Sequence, residues 1–269
     1  MVYNTLMPLM ADFHNHSCLS PCGSLDLSPR VLAETAAGHG IKVLALTDHN
    51  SSLNCPAFAR VCPERGILPI FGLEATTMEE IHILCLFTNL EASLDFSSYA
   101  YRIIMPFRNN PEISGDQVYV DEEDNIEGEV EYYLVNPLEL SVDEIGKKVI
   151  EHGGIVIPAH VDRPAFSMSS QLGVIVKGPW TALECTHLLS AQGPSLGSLP
   201  AHWPSPMGSH PLDTLGYHLI TSSDAHHLET VATRSFELDI NMEELAPNGL
   251  YREADMNALK KALEKRPVK

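Results

Sequence analysis

Seven short apolar runs punctuate the chain, at residues 9–13, 43–46, 68–71, 81–87, 155–158, 182–185 and 218–221. Several are continuously apolar, the pattern of parallel strands covered on both faces. Helical segments lie between some of them. Ser28, Pro29 and Arg30 ahead of residues 31–38 combine an N-cap, a proline at the first helical position and a closing glycine. Residues 141–153 repeat the logic, with Asp143 and Glu144 early, Lys147 and Lys148 late, and Gly153 as the stop. Residues 256–265 read as an amphipathic C-terminal helix. Strand–helix alternation implies a parallel α/β barrel or an open sheet. Barrels carry functional groups at the carboxyl rim of several strands. Metal-type residues follow Phe13, Leu46, Leu73, Pro158 and Ser222, so the barrel is favoured.

The alternation breaks between about Thr88 and Leu140. Val118–Val120, the turn-like stretch 121–125 and residues 132–135 there read as a hairpin-bearing insertion over the barrel rim, serving as a lid or as surface decoration. Residues 190–211, rich in Pro, Gly and Ser, read as a long loop. The expected organisation is one barrel domain over residues 1–269 with the insertion at about 88–140.

Composition bounds the function. The chain has 269 residues, 17 basic against 35 acidic, a formal charge of −18. That balance argues against broad binding to duplex nucleic acid, which needs clustered basic residues. The acidic stretch 112–131 would repel a long polyanion if it covered the rim. A small anionic substrate stays open, because bound cations reverse the potential inside a site. No apolar run reaches the length of a membrane span. The first ten residues lack the basic start of a signal peptide, so a cytoplasmic protein is expected. Six cysteines, at 18, 22, 55, 62, 85 and 185, form no CxxC zinc pattern and no secreted framework; few or no disulfides are expected.

The chemistry lies in four polar islands: Asp12-Phe-His14-Asn-His16, Thr47-Asp48-His49, Gly72-Leu-Glu74 and Ser223-Asp224-Ala-His226. Side chains at i and i+2 of an extended chain share a side, so His14 and His16 can grip one ion, with Asp12 placed to orient a ring nitrogen. A single histidine reads first as a satisfied structural residue; the joint pattern is far more specific. Glu74 follows an apolar run, where an unpaired carboxylate is costly to bury, and its two oxygens can bridge two ions. His82 shares a face with Leu84 and Leu86. His160 ends another strand, and Asp224 and His226 repeat the i, i+2 spacing. Six histidines with Glu74 and Asp224 exceed one tetrahedral site and match two or three divalent ions, with zinc, manganese or iron all compatible. His39 and His152 suit helix C-termini, and His187 is a secondary candidate.

This pattern resembles the PHP family, the polymerase and histidinol phosphatase domain. Its HxH motif corresponds to His14-Asn-His16, its second motif to Thr47-Asp48-His49, its third to Glu74 with His82 and His160, and its fourth to Asp224-Ala-His226. The resemblance runs in order from about residue 10 to 235. It implies a distorted seven-stranded (β/α) barrel with a two- or three-metal cluster and phosphoester hydrolysis. By matching position, one ion takes His14, His16, Glu74 and Asp224, and a second takes Glu74, His82 and His160. A third takes His49 and His226 with one further ligand. Many relatives supply that ligand from an Asp five residues after the second His; here the stretch is Ser20-Pro-Cys22-Gly23, leaving Cys22 or Asp26 as substitutes.

The expected activity is therefore that of a metal-dependent phosphoesterase acting on a small phosphorylated metabolite, a nucleotide or a short single-stranded oligonucleotide. Arg163, three residues after His160, can grip a terminal phosphate in bidentate fashion. A protonated His49 or His226, if left without a metal, can serve as general acid for the leaving group. Two alternatives remain: a metal-stabilised regulatory barrel without turnover, and an amidohydrolase-like C–N hydrolase. The latter commonly needs a metal-bridging lysine, for which Lys177 is the only nearby residue.

Overall fold

The computed structural model describes residues 8–186, 212–247, 251 and 253–264. Its strands are β1 (Leu9–Asp12), β2 (Val43–Leu46), β3 (Leu68–Thr76), β4 (His82–Phe87), β5 (Val118–Val120), β6 (Ile126–Glu129), β7 (Ile155–Pro158), β8 (Leu183–Glu184), β9 (Leu219–Ile220) and β10 (Phe236–Leu238). The helices are α1 (Pro29–Gly38), α2 (Cys55–Glu64), α3 (Leu90–Ile103), α4 (Pro111–Ser114), α5 (Val142–Glu151), α6 (Met168–Leu172), α7 (Met242–Leu245) and α8 (Met256–Glu264). The loop expected at 190–211, and His187, lie outside the described residues.

Six strands form one mixed sheet in the order β10-β1-β2-β3-β4-β7. β1, β2 and β3 run parallel, whereas β4 is antiparallel to both β3 and β7, and β10 is antiparallel to β1. The expectation of seven strands in one parallel barrel is thus corrected for the described residues to a six-stranded mixed sheet. β8 and β9 form a separate parallel pair, and the chain beside them is tied to β7 and to the end of β1 by single bridges at Val156–Trp180 and Asn15–Ala225. The direction of β4 follows from its connection. Only residues 77–81 separate it from β3, and a parallel crossover needs about a dozen or more.

That reversal positions the site. In register, Thr76 pairs with His82, so the start of β4 lies beside the end of β3 and His82 reaches the same rim as Glu74. Gly72 is where the two strands close up, since a Cβ there would stand 2.3 Å from the carbonyl of Cys85. Beneath the rim, the concave face is packed solid with Ala11, Phe13, Val43, Ile70, Leu84, Leu86 and Ile157. Leu245, Leu259 and Leu263 of α7 and α8 close the far end of the same cluster. The outer faces are covered by α1 and α2 on one side and α3 and α5 on the other.

Helix termini follow local chemistry. Ser28 accepts from the amide of Val31 to start α1, and Ser141 and Glu144 form a reciprocal capping box on α5. α3 lies within the stretch expected to be an insertion, yet it is an ordinary covering helix with Phe96 and Ala100 buried against β4 and α5. β5 and β6 pair antiparallel and pack against the chain just after His16. Val118 donates to the carbonyl of Cys18 and Val120 to Asn54 Oδ1. Cys18, Val118 and Val120 make one small apolar cluster, and Leu19, Val130 and Leu134 another.

Candidate metal centre

Glu74 is the hub. Residues 68, 70, 72 and 74 of β3 alternate onto the concave face, and the last of them arrives at the rim as a carboxylate only 1% exposed. Five imidazoles converge on it. His14 Nε2 (3.2 Å), His82 Nδ1 (2.9 Å) and His160 Nε2 (3.1 Å) face Oε1, while His16 Nε2 (3.3 Å) and His49 Nδ1 (3.1 Å) face Oε2. Asp224 Oδ1 completes the group at 3.3 Å from both His14 Nε2 and His16 Nε2. His226 stacks on His16 with ring centroids 4.1 Å apart.

The structure thus brings together every expected ligand: His14, His16, His49, Glu74, His82, His160, Asp224 and His226. Seven of them fall into three overlapping donor groups, His14/His16/Asp224, His49/Glu74/His82 and His16/His49/His226, and His160 joins through Glu74 Oε1. His49 therefore sides with Glu74 and His82 as well as with His226.

The ring protons are directed outward. His14 Nδ1 lies 3.0 and 3.1 Å from the two oxygens of Glu184, and a carboxylate can only accept, so that nitrogen carries the hydrogen. His16 Nδ1 meets Ser20 Oγ at 2.9 Å, and this hydroxyl gives its own proton to Asp48 Oδ1 at 2.7 Å. His226 Nδ1 donates to the carbonyl of Asp224 at 2.9 Å. Each arrangement commits Nδ1 outward and aims Nε2 into the cluster, the nitrogen that ligates a metal once its proton is given up.

These inward atoms fit an ion. His14 Nε2 and His16 Nε2 stand 3.2 Å apart with carboxylate oxygens around them, a set that needs positive charge among its members, from ring protons or from a bound cation. Atoms about 2.0–2.2 Å from a shared ion at tetrahedral angles lie roughly 3.3–3.6 Å from one another, and the 3.2–3.3 Å spacings among His14, His16 and Asp224 stand at the short end of that range. His49 Nδ1 is close to Glu74 yet lacks an aligned hydrogen bond, and His160 Nδ1 and His82 Nε2 are buried without one. His160 and Asp224 hold left-handed backbones, with φ of +31° and +50°. Such strain costs about 1–3 kcal/mol per residue and concentrates at functional sites.

The ionisation of the cluster points the same way. Burial disfavours a charged His14, but the carboxylates of Glu184, Asp224 and Glu74 outweigh it and raise its pKa well above the ordinary value. His16 is opposed by burial too, and its contacts with Asp224 and Glu74 lift it to about 9. Burial would raise Glu74 and Asp224; the surrounding imidazoles instead hold both well below the carboxylate range. Burial pushes His49 well down, and burial with the nearby His16 takes His226 to about 4. Both shifts disfavour the imidazolium, which suits ligation and runs against the general-acid expectation.

Other expectations need revision. Asp12 does not hold the ring of His14, which Glu184 takes; it accepts from Ser223 N (3.0 Å) and Ser223 Oγ, and so fixes the chain entering Asp224. Cys22 and Asp26 are exposed and belong to none of the donor groups, although Cys22 lies near enough to Glu74 and Asp224 for their charges to add to the upward push of burial on its thiol. Lys177 is exposed as well. Arg163 does reach the rim, with Nη1 2.7 Å from Asp224 Oδ2 and a side chain 41% exposed. The residue that sequence reading missed is Glu184. Its signal was present, a carboxylate closing an apolar run as Glu74 does.

The PHP domain matches residues 12–149, half of the chain, and takes in the first two motifs with Glu74 and His82 of the third. The chain belongs to the PHP family. Its fourth motif, Asp224-Ala-His226, lies beyond the match yet meets the others in space. Among curated proteins, an error-prone DNA polymerase of Symbiobacterium thermophilum is 42% identical over 71 residues, 26% of this chain and 6% of that polymerase. Among solved structures, the lesion-specific endonuclease EndoQ of Pyrococcus furiosus shares the fold at a TM-score of 0.53 and 19% identity, over 88% of this chain. The chain spans 55% of that endonuclease. A protein of Bifidobacterium adolescentis assigned as a metal-dependent phosphoesterase aligns at a TM-score of 0.51 and 17% identity, over 92% of this chain and 97% of its own.

One expectation falls here. Endonuclease Q, solved in complex with a 27-mer duplex substrate carrying an abasic lesion at the active site, has this fold at a TM-score of 0.52 and 18% identity. The exclusion of duplex nucleic acid from the net charge therefore does not stand. A chain-wide sum counts Glu74 and Asp224 as repulsive, although bound cations would reverse the potential they create. Among the described residues, no helix is long and apolar enough to cross a membrane, and all six cysteines are free thiols.

Proposed function

We propose that this PHP-family chain is a metal-dependent phosphoesterase, hydrolysing a phosphate ester of a metabolite, nucleotide or oligonucleotide at two or three divalent ions gathered around Glu74. The observation that carries the reading is the convergence of five imidazoles on the two oxygens of one buried carboxylate. A purely structural site is closed around a single ion; this one offers overlapping donor groups and a partly exposed edge at His226 and Arg163.

His14, His16, Glu74 and Asp224 would hold one ion, Glu74 with His82, His160 and His49 a second, and His226 with His49 a third. The donor set of nitrogen and carboxylate oxygen admits zinc, manganese or iron. When bound, such ions supply Lewis-acid activation of a phosphoryl group and of its attacking water. The protein's own part is orientation. Glu184, Ser20 and the carbonyl of Asp224 fix three ring tautomers, and Arg163 presents a guanidinium to a phosphate oxygen at the rim. The same reading takes the chain as one barrel-type domain, with residues 88–140 built beside the rim as a brace for the loops after His16 and His49, and a cytoplasmic setting that keeps its thiols reduced.

The test is metal content by mass spectrometry on protein purified without chelator, with phosphate release from an aryl phosphate, nucleoside phosphates, and single-stranded and duplex oligonucleotides. Two or three equivalents of metal with release, both lost in Glu74→Gln, support the reading. Bound metal with no release from any substrate would overturn it in favour of a regulatory barrel.

A further inference from the structure

The loop that follows His160 carries a second unusual side chain besides Arg163. Phe166 is 40% exposed although its neighbours Ser167 and Met168 are buried. Its ring lies on that of His82, with centroids 4.7 Å apart and planes at 20°. Its carbonyl accepts the amide of His82 at 3.0 Å, so the loop is tied to the start of β4 at the rim. Its backbone φ is +54°, the left-handed region that a bulky side chain rarely adopts. A large apolar ring held in a strained backbone, flat on a histidine of the centre and still open to solvent, contributes little to the core.

We propose that Phe166 is a stacking platform for a planar heteroaromatic base, so that the phosphate ester taken by this site is a nucleoside phosphate. The proposal rests on the phosphoesterase reading and narrows its substrate class. One loop presents both ends of the recognition: the guanidinium of Arg163, already at the rim on Asp224, for the phosphate, and the Phe166 ring three residues later for the base. Stacking uses the face common to all bases and tolerates base identity, so the site should discriminate strongly for the presence of a base and weakly among bases. An aliphatic phosphate ester would reach the same ions and leave the ring uncovered.

The test compares adenosine 5′-monophosphate with ribose 5-phosphate, which differ by the base alone, in the metal-loaded full chain and in Phe166→Leu and Phe166→Tyr. The expected result is a wild-type preference for the nucleotide of roughly 5- to 100-fold in kcat/KM, the scale of one base stacked on an aromatic ring, expressed mainly in KM. Phe166→Leu should bring the ratio close to one and Phe166→Tyr should restore it. A ratio unchanged in Phe166→Leu, or no wild-type preference, overturns the proposal. If neither ester is turned over, the phosphoesterase reading fails, and calorimetric binding of adenosine 5′-monophosphate still decides the platform. Weaker binding to Phe166→Leu than to wild type supports it, and equal binding overturns it.

Discussion

His14 Nδ1 sits against both oxygens of Glu184, at 3.0 and 3.1 Å, and Glu184 Oε2 also accepts the backbone amide of His160 at 2.8 Å. One buried carboxylate from β8 thus sets the ring tautomer of one ligand and the backbone position of another. Glu184→Ala should lower metal affinity about 10- to 100-fold, the usual consequence of losing a partner behind a ligating histidine. Equilibrium dialysis against zinc or manganese measures it directly. Affinity equal to wild type would remove Glu184 from the account of the site.

The charge on His16 makes metal uptake pH-dependent. In the metal-free protein its pKa is raised to about 9 from an ordinary 6.5. At pH 7 the ring is a cation, and ligation must expel the proton. Metal affinity should therefore rise from pH 6 to about 9 and then level off, with proton release visible as a buffer-dependent enthalpy. The sign for stability is opposite. A raised folded-state pKa stabilises the metal-free fold fully below 6.5, and that contribution is lost as pH climbs through 9. Chemical denaturation of stripped protein should show a falling midpoint across that window, while loaded protein keeps its own. Affinity that is flat with pH would contradict the charge assigned to His16.

The chain between α3 and α5 acts on the centre through Asn50. This residue is fully buried with a φ of +48°. Its Nδ2 donates to the carbonyls of Leu134 and Asn136 at 2.7 and 2.9 Å, its Oδ1 accepts from the amide of Thr76, and its own amide donates to the carbonyl of Glu74. Asn50→Ala leaves buried groups unpaired, each costing about 1–3 kcal/mol. Urea denaturation should show that loss. Metal affinity should fall with it, because the carbonyl partner of residue 50 belongs to the hub. A destabilised variant with unaltered affinity would reduce the segment to scaffolding.

These relationships also show what a linear reading can and cannot reach. The eight residues that meet around Glu74 were legible because His and carboxylate recur together at the rim ends of apolar runs, a joint pattern with a far costlier bland explanation than any one of them alone. Strand existence was equally clear, since β2 and β7 coincide with uninterrupted apolar runs. Direction was harder. The short link 77–81 forces β4 antiparallel, and the eye is drawn instead to the regular alternation elsewhere. α3 was hidden because Ser93 and Ser97 interrupt its apolar stripe, and α2 because Pro56 and Pro63 punctuate it. Glu184 went unread although it closes an apolar run as Glu74 does, whereas the parts of Ser20 and Asp48 escaped for a different reason. Their work lies in hydrogen bonds to residues from 4 to 31 positions away, which no local pattern announces.

Arg163 offers the sharpest separation of charge from geometry at the rim. Its guanidinium already contacts Asp224, and a phosphate arriving there would share it. A planar fork can serve a carboxylate and a phosphate oxygen together, whereas an ammonium acts as a point charge. Arg163→Ala should raise KM for a phosphate ester by about tenfold or more, the scale of one lost charge-assisted bond, with metal stoichiometry unchanged because no donor is removed. Arg163→Lys should recover only part of that loss. Steady-state kinetics on both variants, beside metal analysis, make the comparison. If lysine restored KM fully, the requirement would be for positive charge alone and the two-pronged grip would be discarded. If alanine released metal, the Arg163 contact would instead be holding Asp224 in its strained left-handed position, and its role would move from the substrate to the centre.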